Sequence, residues 1–120
     1  MTCRPVTDAD LPTIAAWCAE RQVPMPMALP TRGFIGEGAY LGLEVIGDRA
    51  WLEPALTTAT VPRSVRYATL AACVHAAEEV CRSLGIKTIW AFTDRPVVAR
   101  FAVGQGYRPA AGVLTFKELH

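Results

Sequence analysis

The longest helical pattern in the chain lies between two apolar, strand-like segments, and this order restricts the fold more than any other feature. Residues 64–84 repeat apolar side chains at helical spacing, and Gly85 follows them as a typical helix C-cap. Segments 49–58 and 86–92 flank this helix and favour strands. Strands joined through a helix run parallel, with a right-handed crossover. The sequence therefore predicts a parallel strand–helix–strand unit.

Shorter patterns extend this unit on both sides. The complete predicted order is strand 2–6, helix 7–22, strands 33–38, 39–47 and 49–58, helix 64–84, strand 86–92, helix 96–105, and one bent strand or a hairpin over 107–119. Gly47 and Asp48 predict a tight hairpin turn, and Pro54 predicts a bulge inside its strand. We expect a single α/β domain over residues 1–120, with a mixed, mostly antiparallel sheet of six to seven strands flanked by three or four helices.

The long helix is predicted to have one apolar and one polar face. Leu84 is assigned to the apolar face, which packs on the sheet, and Glu78 is assigned to the polar face. His75 also lies on the polar side, where solvation or a surface ion pair explains it better than catalysis does.

The charge balance argues against a dedicated nucleic-acid or membrane-surface binder. The chain has 12 basic and 11 acidic residues, a formal net charge of +1, whereas such binders usually carry a basic excess. Ten of the twelve basic residues are arginine, a residue suited to bidentate contact with phosphate or carboxylate. A high-GC genome explains the same bias.

The cysteine pattern favours reduced thiols in the core. Cys3, Cys18, Cys73 and Cys81 form no C-x-x-C pair, so the sequence indicates neither a metal site nor a disulfide framework.

The sequence has no apolar run near the ~18 residues that a membrane span needs. We therefore expect a soluble, cytoplasmic protein without a metal.

Two short patterns carry a resemblance to a known family. The segment TVPRSVRYATL, residues 60–70, opens the long helix and fits R/Q-x-x-G-x-G/A, with Arg63 first and Ala68 last but Arg66 in place of the middle glycine. The end of the chain fits a second pattern, a G-F/Y-x-P turn at Gly106, Tyr107 and Pro109. Together with the element order over nearly the whole chain, these patterns resemble the GNAT superfamily of acyl-CoA N-acyltransferases.

A helix start of this kind is suited to a phosphate. Its first amides have no acceptor within the helix, and the helix dipole places partial positive charge there. Arg66 removes the clearance that glycine gives and, in a left-handed conformation, would add roughly 1–2 kcal/mol of strain. A charge-assisted contact from Arg63 or Arg66 to phosphate contributes about 1.5–3 kcal/mol and exceeds that strain. The alternative is a plain helix start.

The resemblance implies acetyl-CoA as the co-substrate. Its pyrophosphate would lie at the start of the long helix, and its pantetheine arm would run between the strand of residues 56–58 and the strand around Trp90. The implied cofactor-binding residues are Leu56, Thr57, Thr58, Arg63, Ser64, Val65, Arg66, Tyr67, Ala68 and Arg95.

The resemblance also implies an acid and a base. Glu53 is the candidate base and Glu44 the second, and a solvated carboxylate is the alternative for both. Ala102 stands where many family members carry a tyrosine that protonates the leaving thiolate. Tyr107 and Tyr67 are the candidate substitutes for this acid.

The implied function is N-acetyl transfer from acetyl-CoA to a small-molecule or peptide amine by direct attack on the thioester. The loop Met25-Pro26-Met27 would then line the acceptor pocket, and a homodimer is expected. One alternative is a catalytically inactive GNAT-fold binding module, which Arg66 and Ala102 favour. Another is a nucleic-acid-modifying enzyme, which the small net charge disfavours.

Overall fold

The computed structural model describes residues 2–24, 32–92, 95–111 and 114–120. Within these ranges, seven strands form one sheet in the order β1-β2-β3-β4-β5-β7-β6. The strands are β1 (Cys3–Pro5), β2 (Arg32–Gly36), β3 (Ala39–Ile46), β4 (Arg49–Thr57), β5 (Thr88–Phe92), β6 (Arg108–Ala111) and β7 (Leu114–Glu118). The helices are α1 (Leu11–Glu20), α2 (Arg63–Ser83) and α3 (Pro96–Gly104), with a 3-10 turn at Asp8–Asp10 before α1. The predicted fold class is confirmed, and the last segment is a hairpin.

The strands β4 and β5 form the predicted parallel pair. They pair from Arg49 opposite Thr88 to Leu52 opposite Ala91, while the other neighbouring strands described are antiparallel. Because β4 continues to Thr57 beyond its last pair with β5, the two strands part at their carboxyl ends. Such an opening in a sheet is a common place for a ligand.

A bulge interrupts β4 where this opening begins, as Pro54 predicts. Ala55 is opposite Leu41 and Leu52 is opposite Leu43, so Glu53 and Pro54 together face one residue of β3. The extra residue leaves Leu52 and Ala55 on the same face of the sheet, where both contact one apolar cluster. The bulge thereby ends the regular alternation of β4 beside the opening.

Helices cover the two faces of the sheet with separate apolar clusters. On one face, α2 and α3 pack on the larger cluster, which includes Leu41, Leu52 and Leu70. On the other face, α1 packs through Ile14 and Cys18 on Ile35, Tyr40 and Leu56. Adjacent residues of β3, Tyr40 and Leu41, thus contribute to opposite faces, as strand alternation requires.

The N-terminal helical segment begins after Thr7, at the start of the predicted helix 7–22. The Thr7 amide donates to a carboxylate oxygen of Asp10 at 2.8 Å, and Arg4 of β1 donates to both carboxylate oxygens, at 2.6 and 2.8 Å. The arginine, followed by the Thr7 amide, holds the pKa of Asp10 well below its usual range. This contact ties the edge strand β1 to the start of α1.

The face assignment of α2 is wrong at two residues. Glu78 is 2% exposed, whereas Leu84 is 47% exposed. Glu78 lies four residues after Val74 and three before Cys81, both buried, so helical spacing places it on the inner stripe despite its charge. Leu84 follows the last residue of α2 and has left the packed part of the helix.

The turns at Gly47 and Gly85 and the free cysteines agree with the expectations from the sequence. Gly47 and Gly85 end their elements with φ of +63° and +75°, values that few residues besides glycine adopt. All four cysteines are free, and burial raises the pKa of Cys73 to about 12 and that of Cys81 to about 11. Among the described residues, none of the helices combines the length and the apolar character that crossing a membrane requires.

Candidate active site

The start of α2 offers main-chain donors without a side-chain cap. Pro62 is the N-cap residue, and no described side chain caps the helix there. The Pro62 carbonyl accepts the amides of Val65 and Arg66, both at 3.0 Å, while the amides of Arg63 and Ser64 have no acceptor inside the helix. The first turn therefore presents N–H groups and the positive end of the helix dipole.

Arg66 takes part in the helix without strain. The only positive φ at a non-glycine residue in the described ranges belongs to Gln22, so the left-handed cost considered for Arg66 does not arise. The Arg66 guanidinium donates to the Val61 carbonyl at 3.1 Å and lies 5.8 Å from the centre of the Tyr67 ring. Its buried Nε has no hydrogen-bond partner among the described residues, which is unusual for a charged group.

Four arginines line one cavity of about 260 Å³, which we call the arginine groove. The groove lies between the end of β4 and the first turns of α2 and α3. The four residues are Arg21, Arg63, Arg66 and Arg95. The carboxylate of Glu20 approaches Arg21 at 3.9 Å. The guanidinium donors of the groove fit phosphate groups.

The end of α1 holds the end of β4 beside this groove. Arg21 donates to the carbonyl and the hydroxyl of Thr57, at 2.8 and 3.1 Å. Glu20 accepts from the Thr58 hydroxyl at 2.7 Å and from the Ala59 amide at 2.8 Å, and the Ala59 amide is the main cause of its lowered pKa. Thr57 and Thr58, which the sequence analysis assigns to the pantetheine arm, thus already take part in contacts with the end of α1. Their pairing with that arm stays a prediction.

A second cavity, of about 80 Å³, adjoins the groove beneath α3. We call it the apolar cavity, because its wall is mostly aliphatic and aromatic. Leu52 and Ala55, on either side of the bulge, form part of its floor, and Phe101 and Ala102 of α3 lie across from them. Ala102 therefore faces a cavity, at the position where the resemblance implies a tyrosine.

The two candidate bases lie on neighbouring strands, Glu44 on β3 and Glu53 on β4. Glu53 is exposed at the bulge, and Glu44 is half-buried opposite Trp51. Alternation with Leu43 places the Glu44 carboxylate on the face that carries α1. Glu53 lies in the bulge between Leu52 and Ala55, whose side chains take the opposite face, with the apolar cavity.

The face that carries α1 and Glu44 also carries a row of aromatic rings. Trp51 stacks on Trp90 with 5.9 Å between ring centres, and Trp90 lies 5.1 Å from Phe116. Arg108 lies 4.9 Å above the Phe116 ring. All three rings are half-buried, so this aromatic row retains contact with solvent.

Tyr107, a candidate acid, belongs to a buried polar cluster. Its side chain is 3% exposed, and its hydroxyl donates to Glu78 at 3.1 Å. Lys117 also donates to Glu78 at 3.1 Å and to the Gln105 carbonyl at 2.9 Å. Burial and, next, the Glu78 charge raise the Tyr107 pKa. The Tyr107 ring lines the apolar cavity, whereas its hydroxyl binds Glu78.

The structure brings together part of the implied cofactor site. Five of the implied residues line the arginine groove: Thr57, Arg63, Arg66, Tyr67 and Arg95. Ser64 lines a neighbouring cavity with Arg100, while Val65 and Ala68 lie in the first turns of α2, and Leu56 is buried against α1. Arg21 and Arg100 are additions that the sequence analysis missed.

Two further expectations concern the surroundings of the site. No group of three or more metal-binding side chains occurs in the part of the chain that the structure describes. The loop Met25-Pro26-Met27, assigned to the acceptor pocket, lies outside the described residues.

Comparison with known proteins identifies the fold. No family model matches the chain, and no curated protein matches it, whereas many solved structures do. The ribosomal-protein-S18-alanine N-acetyltransferase of Escherichia coli is 16% identical, with a TM-score of 0.72 over 98% of this chain and 92% of that one.

Two further structures agree with this match. The PaiA N-acetyltransferase of Thermoplasma acidophilum, crystallised with coenzyme A, is 12% identical, with a TM-score of 0.75 over 99% of this chain and 100% of that one. A GNAT-family acetyltransferase of Staphylococcus aureus is 10% identical, with a TM-score of 0.73 and the same two coverages. The chain therefore has the GNAT fold, as its sequence patterns predict.

Proposed function

We propose that this chain is an acyl-CoA-dependent N-acyltransferase, with acetyl-CoA as its simplest donor and an amine as its acceptor. The observation that carries the proposal is the buried Arg66 Nε, which has no partner among the described residues and belongs to a groove lined by three further arginines. A pyrophosphate in this groove would accept from Arg63 and Arg66 and from the first amides of α2. The GNAT fold and the solved complex with coenzyme A support this assignment.

The proposed reaction is direct transfer from the thioester. The amine nitrogen bonds to the acyl carbon, the carbon–sulfur bond breaks, and the sulfur leaves as a thiolate. Glu53 accepts the amine proton directly or through water, and Glu44 is the second candidate base. The Tyr107 hydroxyl is our candidate acid for the thiolate. In the structure this hydroxyl donates to Glu78, so Tyr107 can protonate the thiolate only after that hydrogen bond breaks. Otherwise the thiolate takes its proton from water.

A second candidate function is a binding module with the GNAT fold and no turnover. Ala102 favours it, because its side chain has no proton to give to a thiolate. Turnover separates the two candidates: a module binds coenzyme A or a partner without forming an acylated amine, whereas the enzyme releases free thiol in proportion to acylated product.

The setting of this activity is also a proposal. The acceptor is a small-molecule or peptide amine, and a nucleic acid is disfavoured by the net charge of +1. We place the protein in the cytoplasm, because its four thiols are free, and we expect it to act as a homodimer.

The test is thermal unfolding with and without coenzyme A. Ligand at about 100 times its dissociation constant stabilises the native state by roughly 2.7 kcal/mol, which raises the melting temperature by several degrees. Arg63→Ala/Arg66→Ala should lose this shift. The control Arg49→Ala/Arg82→Ala, which removes the same charge away from the groove, should keep it. A chain that binds no coenzyme A at millimolar concentration would contradict the proposal.

A further inference from the structure

We propose that the donor is an acyl-CoA whose aliphatic chain is longer than acetyl, and that the apolar cavity holds the end of that chain. This inference rests on the proposed function and deepens it by naming the class of acyl group. It depends on three features of the cavity: its lining, the wall that it shares with the arginine groove, and the residue at position 102.

The lining of the apolar cavity fits hydrocarbon. Five aliphatic side chains and one aromatic ring contribute to the wall: Leu41, Leu52, Leu70, Val74, Val98 and Phe101. A cavity needs about 10–15 Å³ to hold one water and two to four polar partners to keep it there. This cavity has about 80 Å³, so its size admits several atoms while its walls favour apolar ones.

The apolar cavity adjoins the groove where phosphates are proposed to bind. Ala55, Leu70, Arg95 and Val98 line both the apolar cavity and the arginine groove. In an acyl-CoA the pantetheine arm separates the phosphates from the acyl group, so the phosphates would lie at the Arg63 end of the groove and the acyl tail in the cavity beyond Leu70. The shared wall includes Ala55, which follows the bulge of β4, so the tail leaves the groove beside the strand opening.

The cavity fits an alkyl tail better than it fits the amide-bearing pantetheine arm. An amide buried without a hydrogen bond costs about 1–3 kcal/mol. Arg95 lines the cavity and also the groove. Two nearby polar groups have partners of their own: the Tyr107 hydroxyl donates to Glu78, and the Gln105 main-chain carbonyl accepts from Lys117. An alkyl chain needs none of these groups, and each methylene that it buries adds favourable transfer energy.

Ala102 contributes to the open space. It lies on α3 and lines the cavity with a single methyl group, and a ring at this position would project into the same volume. Val103, the next residue, is 53% exposed and points into solvent. The two positions thus offer a cavity variant and a matched surface variant on the same helix.

The experiment is calorimetric titration of the purified chain with coenzyme A, acetyl-CoA, butyryl-CoA and hexanoyl-CoA. Affinity is expected to increase about fourfold for each added methylene until the cavity is full. Ala102→Phe should abolish this increase while coenzyme A itself still binds, and Val103→Phe should retain it. The melting temperatures of both variants check that they fold. If Ala102→Phe does not fold, the titration series on the unmodified chain still tests the dependence of affinity on acyl-chain length.

The outcomes separate the two proposals. Coenzyme A binding with an affinity that is flat or decreasing from acetyl to hexanoyl overturns the longer chain and leaves the acyltransferase intact. A length-dependent increase that persists in folded Ala102→Phe also overturns it, because the tail then lies elsewhere. Absence of binding for every thioester and for coenzyme A overturns both.

Discussion

At the scale of single residues, Lys117 compensates a buried charge. It donates to both Glu78 oxygens, at 3.1 and 3.3 Å, and the Glu78 side chain is 3% exposed. Lys117→Met leaves that carboxylate with weaker compensation and should lower the free energy of unfolding by about 2–3 kcal/mol. This is less than the usual value for a fully buried pair, because the Lys117 side chain is 26% exposed. Urea denaturation measures the change.

The matched control is Lys87→Met, which removes the same charge from an exposed position and should change stability by less than about 0.5 kcal/mol. The double variant Glu78→Met/Lys117→Met removes both charges and should recover most of the loss. Equal stabilities for Lys117→Met and Lys87→Met would show that Glu78 does not depend on this lysine.

Glu53 carries the prediction for catalysis. If its carboxylate takes the amine proton, Glu53→Gln should lower kcat by about 100-fold or more near neutral pH, with little change in KM for the donor. Raising the pH should restore part of the rate, because the amine then deprotonates without the base. Glu37→Gln, at an exposed turn, is the control. Unchanged turnover of Glu53→Gln from neutral to alkaline pH would exclude Glu53 as the base.

The residues that sequence reasoning found and missed differ in how they reach the site. Arg63 and Arg66 are predictable, because a helix start is a local signal in the chain. Arg21 reaches the groove only through the packing of α1 on β4, where it contacts a residue 36 positions away. Glu78 was assigned to solvent by its charge, although its spacing from Val74 and Cys81 indicates the inner stripe.

At the scale of elements, two glycines at helix ends should respond oppositely to the same substitution. A Cβ at Gly85 or at Gly104 would meet nothing within 4 Å, so packing does not distinguish them. Gly85 has φ of +75°, and Gly85→Ala should destabilise the protein by about 1 kcal/mol. Gly104 is the last residue of α3, and Gly104→Ala should stabilise it by about 0.4–1 kcal/mol.

Thermal and urea unfolding of both variants compare these effects directly. Equal changes in the free energy of unfolding of the two variants would mean that the positive φ at Gly85 does not determine the effect of an alanine there. The sequence predicts the end of α2 because Gly85 marks it, and it predicts the bulge of β4 because Pro54 does. It leaves the last segment open between a bent strand and a hairpin, since the β6–β7 pairing depends on β5 as the neighbour of β7.

At the scale of the whole molecule, the aromatic row predicts where two copies would meet. Trp51, Trp90 and Phe116 span β4, β5 and β7 and remain partly exposed, and an exposed apolar area of this kind is typical of an interface. Light scattering at micromolar concentration should give twice the chain mass of 13.0 kDa. Phe116→Arg should shift this mass towards one chain, whereas Ile46→Arg, at a residue already 62% exposed, should not.

The dimer and coenzyme A binding are separable predictions, because the described residues of one chain line both the arginine groove and the apolar cavity. A monomeric mass for the unmodified chain would remove the homodimer without affecting the proposed chemistry. Folded, monomeric Phe116→Arg should therefore keep its coenzyme A affinity, since the groove and the cavity do not include the aromatic row. Loss of that affinity in the monomer would instead mean that a second copy completes the site, and that the groove alone does not hold the phosphates.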